Sequence, residues 1–244
     1  MIDALTVAAN MLSDDTQRLN TISHNLANVS TTGFKRQRAI SIPFQAHLGA
    51  QAAGGASMLL ATLPGHVLQT DTRAGMLHQT SNPLHVALED NGYFEIKTNQ
   101  GLAYTRRGDF HLDGQGRLVT QEGHLVMGAG GEIQLNNATP VIDQSGVIFD
   151  KDKQIAQIKV VHFANAETLA RLESSLFTPS ATTQIDPNAG QTKVRQGYLE
   201  ASNVTSMEEM VRLIETMRHF ESAQKVVQGY DEMMGKALKK FGEF

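Results

Sequence analysis

The sequence predicts an α+β fold: long N- and C-terminal helices pairing as a coiled-coil-like helical domain, with an all-β domain inserted between them. Two observations carry this. Both chain ends repeat apolar residues every seven positions, and the middle alternates short apolar runs with turn signals.

Residues 3–28 read as the first helix. Leu5, Leu12, Leu19 and Leu26 recur at intervals of seven, and Ala8, Ile22 and Val29 follow three of them by three residues. The result is an apolar a/d stripe interrupted once, at Asp15. Gly33 is a stop signal shortly past the end. The short basic run Lys35, Arg36, Arg38 reads as a solvated helix exit.

Residues 206–240 read as the second helix, opened by a capping-box pattern at Ser206 and Glu209. Leu213, Phe220, Val227, Met234 and Phe241 step by seven, and Ala223, Tyr230 and Ala237 fill the positions three later. Met210, Met217 and Leu238 widen the stripe. Helices of these lengths span roughly 40 and 50 Å. Neither can hide its stripe alone, so each needs the other or another chain.

Between them, residues 44–72 are rich in Ala and Gly and read as an extended connector. Residues 73–197 carry short runs such as Val86-Ala87-Leu88 and Tyr93-Phe94-Glu95-Ile96, separated by turns such as Asn99-Gln100-Gly101 and Asp113-Gly114-Gln115-Gly116. Gly128 to Gly131 reads as a hairpin turn, Asn165 to Leu172 as a short helix, and Asp186 to Gly190 as a loop. The predicted domains are therefore 1–72 with 198–244, a discontinuous helical assembly domain with its connector, and 73–197, the inserted β-rich domain.

Composition narrows the function. The 244 residues include no Cys and no Trp, and the net charge is −4. Thiol nucleophiles, disulfides and thiolate metal sites are excluded. A basic nucleic-acid footprint is missing. Asp3 occupies the place of a basic leader region, so no cleaved signal peptide is expected. No run approaches the ~18 apolar residues of a membrane span, so no direct membrane insertion is expected. Acidic residues on the last helix, among them Glu208, Glu209 and Glu215, argue against a helix lying on a membrane.

Chemistry-bearing patterns are weak. Asp109, Asp113 and Glu122 could be cast as a glycosidase pair, but Asp113 opens a tight turn. The same turn resembles half a calcium loop, yet His124 stands where the closing Glu belongs. The nine histidines form no metal-binding motif. The expectation is a protein that is not an enzyme and takes no cofactor and no metal.

Three motifs carry a family resemblance. Ser23 to Lys35, reading SHNLANVSTTGFK, resembles the N-terminal signature of bacterial flagellar rod and hook proteins. Gly197 to Val204, GYLEASNV, resembles the lead into that family's C-terminal helix, and Ile214 to Glu221 continues the pattern. Gly75 to Gly128, including Ala103 to Phe110 and Gly116 to Thr120, resembles its β-domain. His85 departs from the family's Asp, and Glu89-Asp90 from its Gly.

The resemblance implies a self-assembling structural subunit of the flagellar basal-body rod, the axial shaft that transmits torque for motility across the periplasm. It implies export by the flagellar type III apparatus, partners among itself and other rod proteins, and a β-domain facing outward. The single inserted domain and the segment Val126 to Ile133 point to the proximal rod, with the distal rod as the alternative. A secreted coiled-coil adhesin is the competing class. The expected assembly interface comprises Leu5, Leu12, Leu19, Ile22, Asn25, Leu26, Asn28, Gly33 and Phe34, with Met210, Leu213, Met217, Phe220, Val227 and Met234. Read from its own residues, the N-terminal motif has Asn25, Asn28 and Ser30 bonding backbone groups as the helix ends, Gly33 allowing a left-handed turn, and Phe34 anchoring the exit against a neighbour.

Overall fold

The computed structural model describes residues 2–41, 66–151, 153–172, 175–180, 182–186 and 193–242. Most of the predicted connector and of the 186–190 loop lies outside them. The chain is α+β: two long helices and a large β-rich domain. It divides into two compact units, residues 1–27, 37–69 and 205–244, and residues 28–36 and 70–204.

The first unit holds α1 (Ile2–Ala27), β1 (Gln37–Ser41), β2 (His66–Thr70) and α2 (Ser206–Gly242). The two helices run antiparallel. Asn25 bonds Glu209, and ten residues along each helix Asp15 lies near His219. Burial follows part of each predicted stripe. Ala8 and Ile22 are buried on α1, with Leu12, Leu19 and Leu26 half-buried. Among the described side chains of α2 the half-buried positions are Leu213, Thr216, Phe220, Ala223, Val227 and Tyr230, a strict alternation of three and four. That alternation keeps one stripe on one side of a helix with 3.6 residues per turn. β1 pairs with β2 in a two-stranded ribbon, so part of the predicted connector is strand.

The second unit is built on a nine-stranded sheet. Before it come β3 (Leu77–Gln79) and β4 (Val86–Leu88). The sheet proper begins with the hairpin of β5 (Tyr93–Thr98) and β6 (Gly101–Thr105), then β7 (His111–Leu112), β8 (Leu118–Val119), β9 (Leu125–Gly128) and β10 (Gly131–Glu132). The Gly128–Gly131 turn is the predicted hairpin, closing β9 onto β10. β11 (Val141–Ile142), β12 (Val147–Asp150) and β13 (Lys153–Gln157) form a separate three-stranded sheet. β14 (Val160–Val161), β15 (Ala170–Arg171) and β16 (Leu176–Thr178) return to the large sheet. β17 (Val194–Gln196) pairs with β4 and β18 (Tyr198–Glu200) with β3.

β5 explains the uninterrupted run Tyr93 to Ile96. Its side chains alternate across the sheet, and both faces are covered. Phe94 and Ile96 enter the main core with Phe110, Leu118, Val126 and Ile148. Tyr93 enters a second cluster with Tyr104, Phe163 and Phe177. The rings there meet edge to face, Tyr104 and Phe163 at 4.9 Å and Tyr93 and Phe177 at 5.6 Å. Between them Glu95 is buried and bonded by Lys159 at 2.8 Å.

Two local expectations are corrected. The short helix expected at 165–172 is a single 3-10 turn, Ala166–Thr168, because Ala170–Arg171 pairs with β16 instead. Segment 198–204, expected with the helical domain, lies in the β-rich unit, tied there by the β3–β18 pairing.

Candidate functional site

The three sequence motifs supply one buried ion cluster, wholly inside the β-rich unit. Lys35 Nζ lies 2.7 Å from Glu200 Oε1, and Arg106 Nε lies 2.5 Å from Glu200 Oε2. All three side chains are at most 2% exposed. The remaining polar atoms are met by backbone. Lys35 also donates to Arg73 O at 2.7 Å, and Glu200 Oε1 accepts from Gly75 N at 2.8 Å. Arg106 donates to the carbonyls of Gly92 and Leu88. Buried charges are as a rule paired and bonded in this way. Burial pulls the Lys35 ammonium below the ordinary lysine range, and Glu200 pulls it back up.

The chain reaches the cluster through a left-handed turn at Gly33, with φ of 62°. Gly33 N donates to Glu200 O at 2.8 Å. Asn203 stitches the other side: its Oδ1 accepts from Arg36 N at 2.7 Å, and its Nδ2 donates to Asp71 O at 2.9 Å. Phe34 is fully buried, with the Arg171 guanidinium 4.7 Å above its ring. The expectation that Phe34 reaches a neighbouring subunit is therefore corrected, since its own chain already encloses it. The solvated exit expected for Lys35 and Arg36 is corrected too, because both are buried.

The helical unit has its own polar junction. Asn25 is buried, and its amide pairs with the Gln37 backbone, donating to O at 2.8 Å and accepting from N at 2.9 Å. It also donates to Glu209 Oε2 at 3.2 Å. The expected capping box is corrected accordingly: Ser206 is the first helical residue and Glu209 turns its carboxylate to Asn25. Asn28 accepts from Thr31 through both its carbonyl and its side chain.

Of the other expected interface residues, Leu213, Phe220, Val227, Leu12, Leu19 and Leu26 are half-buried and Ile22 is buried. Met210, Met217 and Met234 are exposed, at 44–50%. The Leu5 side chain lies outside the described residues. Further apolar residues outside the predicted stripes are exposed, Val7 and Met11 on α1 and Val211 and Ile214 on α2. These residues fall between the heptad positions, where a single stripe does not reach.

The carboxylates considered for catalysis are held by arginines. Arg107 grips Asp109 at 2.7 Å and also pairs with Glu122. Asp113 closes its turn, bonded by Arg117 N, Gln115 N and Arg117 Nε, and these bonds hold its carboxyl below the usual range.

Tyr93 reports on the second cluster. Burial pushes its phenol up to about 12, opposed by Arg106 and Arg171 and supported by Glu200. The folded chain keeps a proton that an unfolded tyrosine loses near pH 10. The stability this contributes is present below pH 10 and is lost as pH rises toward 12. An alkaline ultraviolet titration is expected to show a late tyrosine step that Tyr93→Phe removes.

Comparison with known proteins agrees with the motifs. Residues 5–35 match the family model for flagella basal body rod proteins, 87–155 that for the D1 domain of flagellar hook protein FlgE/F/G, and 195–240 that for the C-terminal part of flagellar basal body rod FlgEFG proteins. The flagellar basal-body rod protein FlgG of Buchnera aphidicola from Schizaphis graminum is 33% identical over 97% of this chain and 98% of its own. FlgG of Borreliella burgdorferi is 32% identical over 97% and 98%. The flagellar basal-body rod protein FlgF of Mesorhizobium japonicum is 31% identical over 99% of each. With both ends and the middle matched, the chain belongs to the flagellar basal-body rod protein family and is a structural subunit of the bacterial flagellar rod.

Proposed function

We propose that the chain is the proximal-rod subunit, and that its end helices pair as a coiled coil and pack against those of neighbouring copies and of other rod proteins to line the shaft. The observation that carries this is the exposed apolar face of α2, where Met207, Met210, Val211, Ile214 and Met217 stand at 49–71% exposure over three turns. An apolar patch of this kind marks an interaction surface. The three-four spacing of the half-buried positions supports the coiled coil.

The segment Val126 to Ile133 supports the proximal reading over the distal one. Torque transmission by such a subunit needs packed contacts and no catalytic residue, cofactor, metal or nucleic acid. The chain reaches the rod through the flagellar export apparatus. Among the described residues no helix is long and apolar enough to cross a membrane.

Two paired substitutions test the two faces. Leu19→Asp with Ile22→Asp breaks the seam, and Val211→Asp with Ile214→Asp charges the outer face. Each pair is expected to abolish rod assembly and swimming while the thermal melt of the β-rich unit stays unchanged. Normal swimming with the outer-face pair sinks the proposal.

A further inference from the structure

The seam of α1 contains one residue that should not favour pairing. Ala8, Leu12, Leu19, Ile22 and Leu26 are apolar, while Asp15 occupies the heptad position between Leu12 and Leu19. Asp15 is 3% exposed. Its Oδ2 has no hydrogen-bond partner among the described residues. The nearest basic side chains among the described residues do not compensate. Arg18 Nη1 lies 3.8 Å from Oδ1, and His219 Nδ1 lies 3.9 Å from Oδ2. Both distances exceed a hydrogen bond. The Arg18 and His219 side chains are 46% and 77% exposed, so both keep much of their hydration. A carboxylate taken out of water without bonds in return opposes the burial that creates it.

The contrast with the rest of the molecule sharpens this. Glu200 is equally buried, yet both its oxygens are met within 2.8 Å. Glu95, 4% exposed, is bonded by Lys159 at 2.8 Å. Asp15 therefore differs from the buried carboxylates of the β-rich unit in having no basic group within hydrogen-bond distance among the described residues, and it sits in the element that the assembly reading requires to move from free to packed.

We infer that Asp15 is a brake on helix pairing: it holds the α1–α2 seam below the stability its apolar neighbours would give, so the ends of a free chain stay exchangeable until neighbouring copies cover the outer faces. A polar residue at a single heptad position is known to lower stability in return for specificity. The role in timing rests on the self-assembly reading; the weakening of the seam does not.

The test is amide hydrogen exchange on the dilute full-length chain, comparing the natural sequence with Asp15→Leu and Asp15→Asn. Protection across residues 8–26 and 209–230 is expected to rise at least tenfold in Asp15→Leu, and by a smaller factor in Asp15→Asn. Unchanged or lower protection in both overturns the inference, because Asp15 would then not be weakening the seam. Should Asp15→Leu fail to fold, Asp15→Asn decides alone, since it keeps the shape and removes the charge. His219→Ala is expected to leave protection within twofold, and a tenfold fall would also overturn the inference. Sedimentation separates the two readings. With protection raised, oligomers of Asp15→Leu at lower concentration support both. A variant that stays monomeric at every concentration leaves the brake standing and removes the self-assembly reading instead.

Discussion

Glu200→Ala is expected to unfold the β-rich unit at a much lower urea concentration than the natural chain. The substitution leaves Lys35 and Arg106 buried with no counter-charge, and removing one partner from such a pair costs about 3–5 kcal/mol. A domain of this size has total stability of only about 5–15 kcal/mol, so the loss is a large fraction of the whole. The measurement is equilibrium unfolding followed by tyrosine signal, because Tyr93 and Tyr104 sit in the adjoining cluster. Pairing the change with Lys35→Met is expected to recover part of the loss, since one of the stranded cations is then gone. A cost under about 1 kcal/mol, the range of exposed pairs, would show that the cluster is not sealed from water in solution.

Gly33→Ala is expected to weaken the same unit by a separate route. At φ of 62° any side chain is strained, at roughly 1–3 kcal/mol. An added Cβ would also sit 2.6 Å from the Arg106 carbonyl carbon and 2.7 Å from Arg107 N, backbone atoms that cannot swing aside. Relief requires lifting the segment, which lengthens the Gly33 bond to Glu200 O and draws Lys35 from its carboxylate. Gly130→Ala is the control. It meets open space, so an effect within about 0.5 kcal/mol is expected. Because Gly33 and Glu200 are bonded, the double variant is expected to lose less than the sum of the two. Full additivity would mean that the turn and the cluster act independently.

The helices were the most legible part of the sequence. The predicted 3–28 and 206–240 became Ile2–Ala27 and Ser206–Gly242, because a seven-residue apolar repeat is written locally and only one regular structure fits it. The turns at Asn99 to Gly101, Asp113 to Gly116 and Gly128 to Gly131 were legible for the same reason, each resting on residues within a few positions. The family motifs were legible as patterns, and the family assignment followed from them.

What the motifs do was decided only by tertiary structure. Lys35 reads as one charge of a solvated run, yet its partner Glu200 lies 165 residues away. Asn25 reads as a helix-end residue, yet it bonds a carboxylate 184 residues on. Asp15 reads as an interruption of a stripe, and only packing shows that it is buried rather than turned to water. The physical reason is common to all three. Periodicity and turn chemistry depend on neighbours along the chain, whereas the burial and pairing of a charge depend on which distant segment covers it.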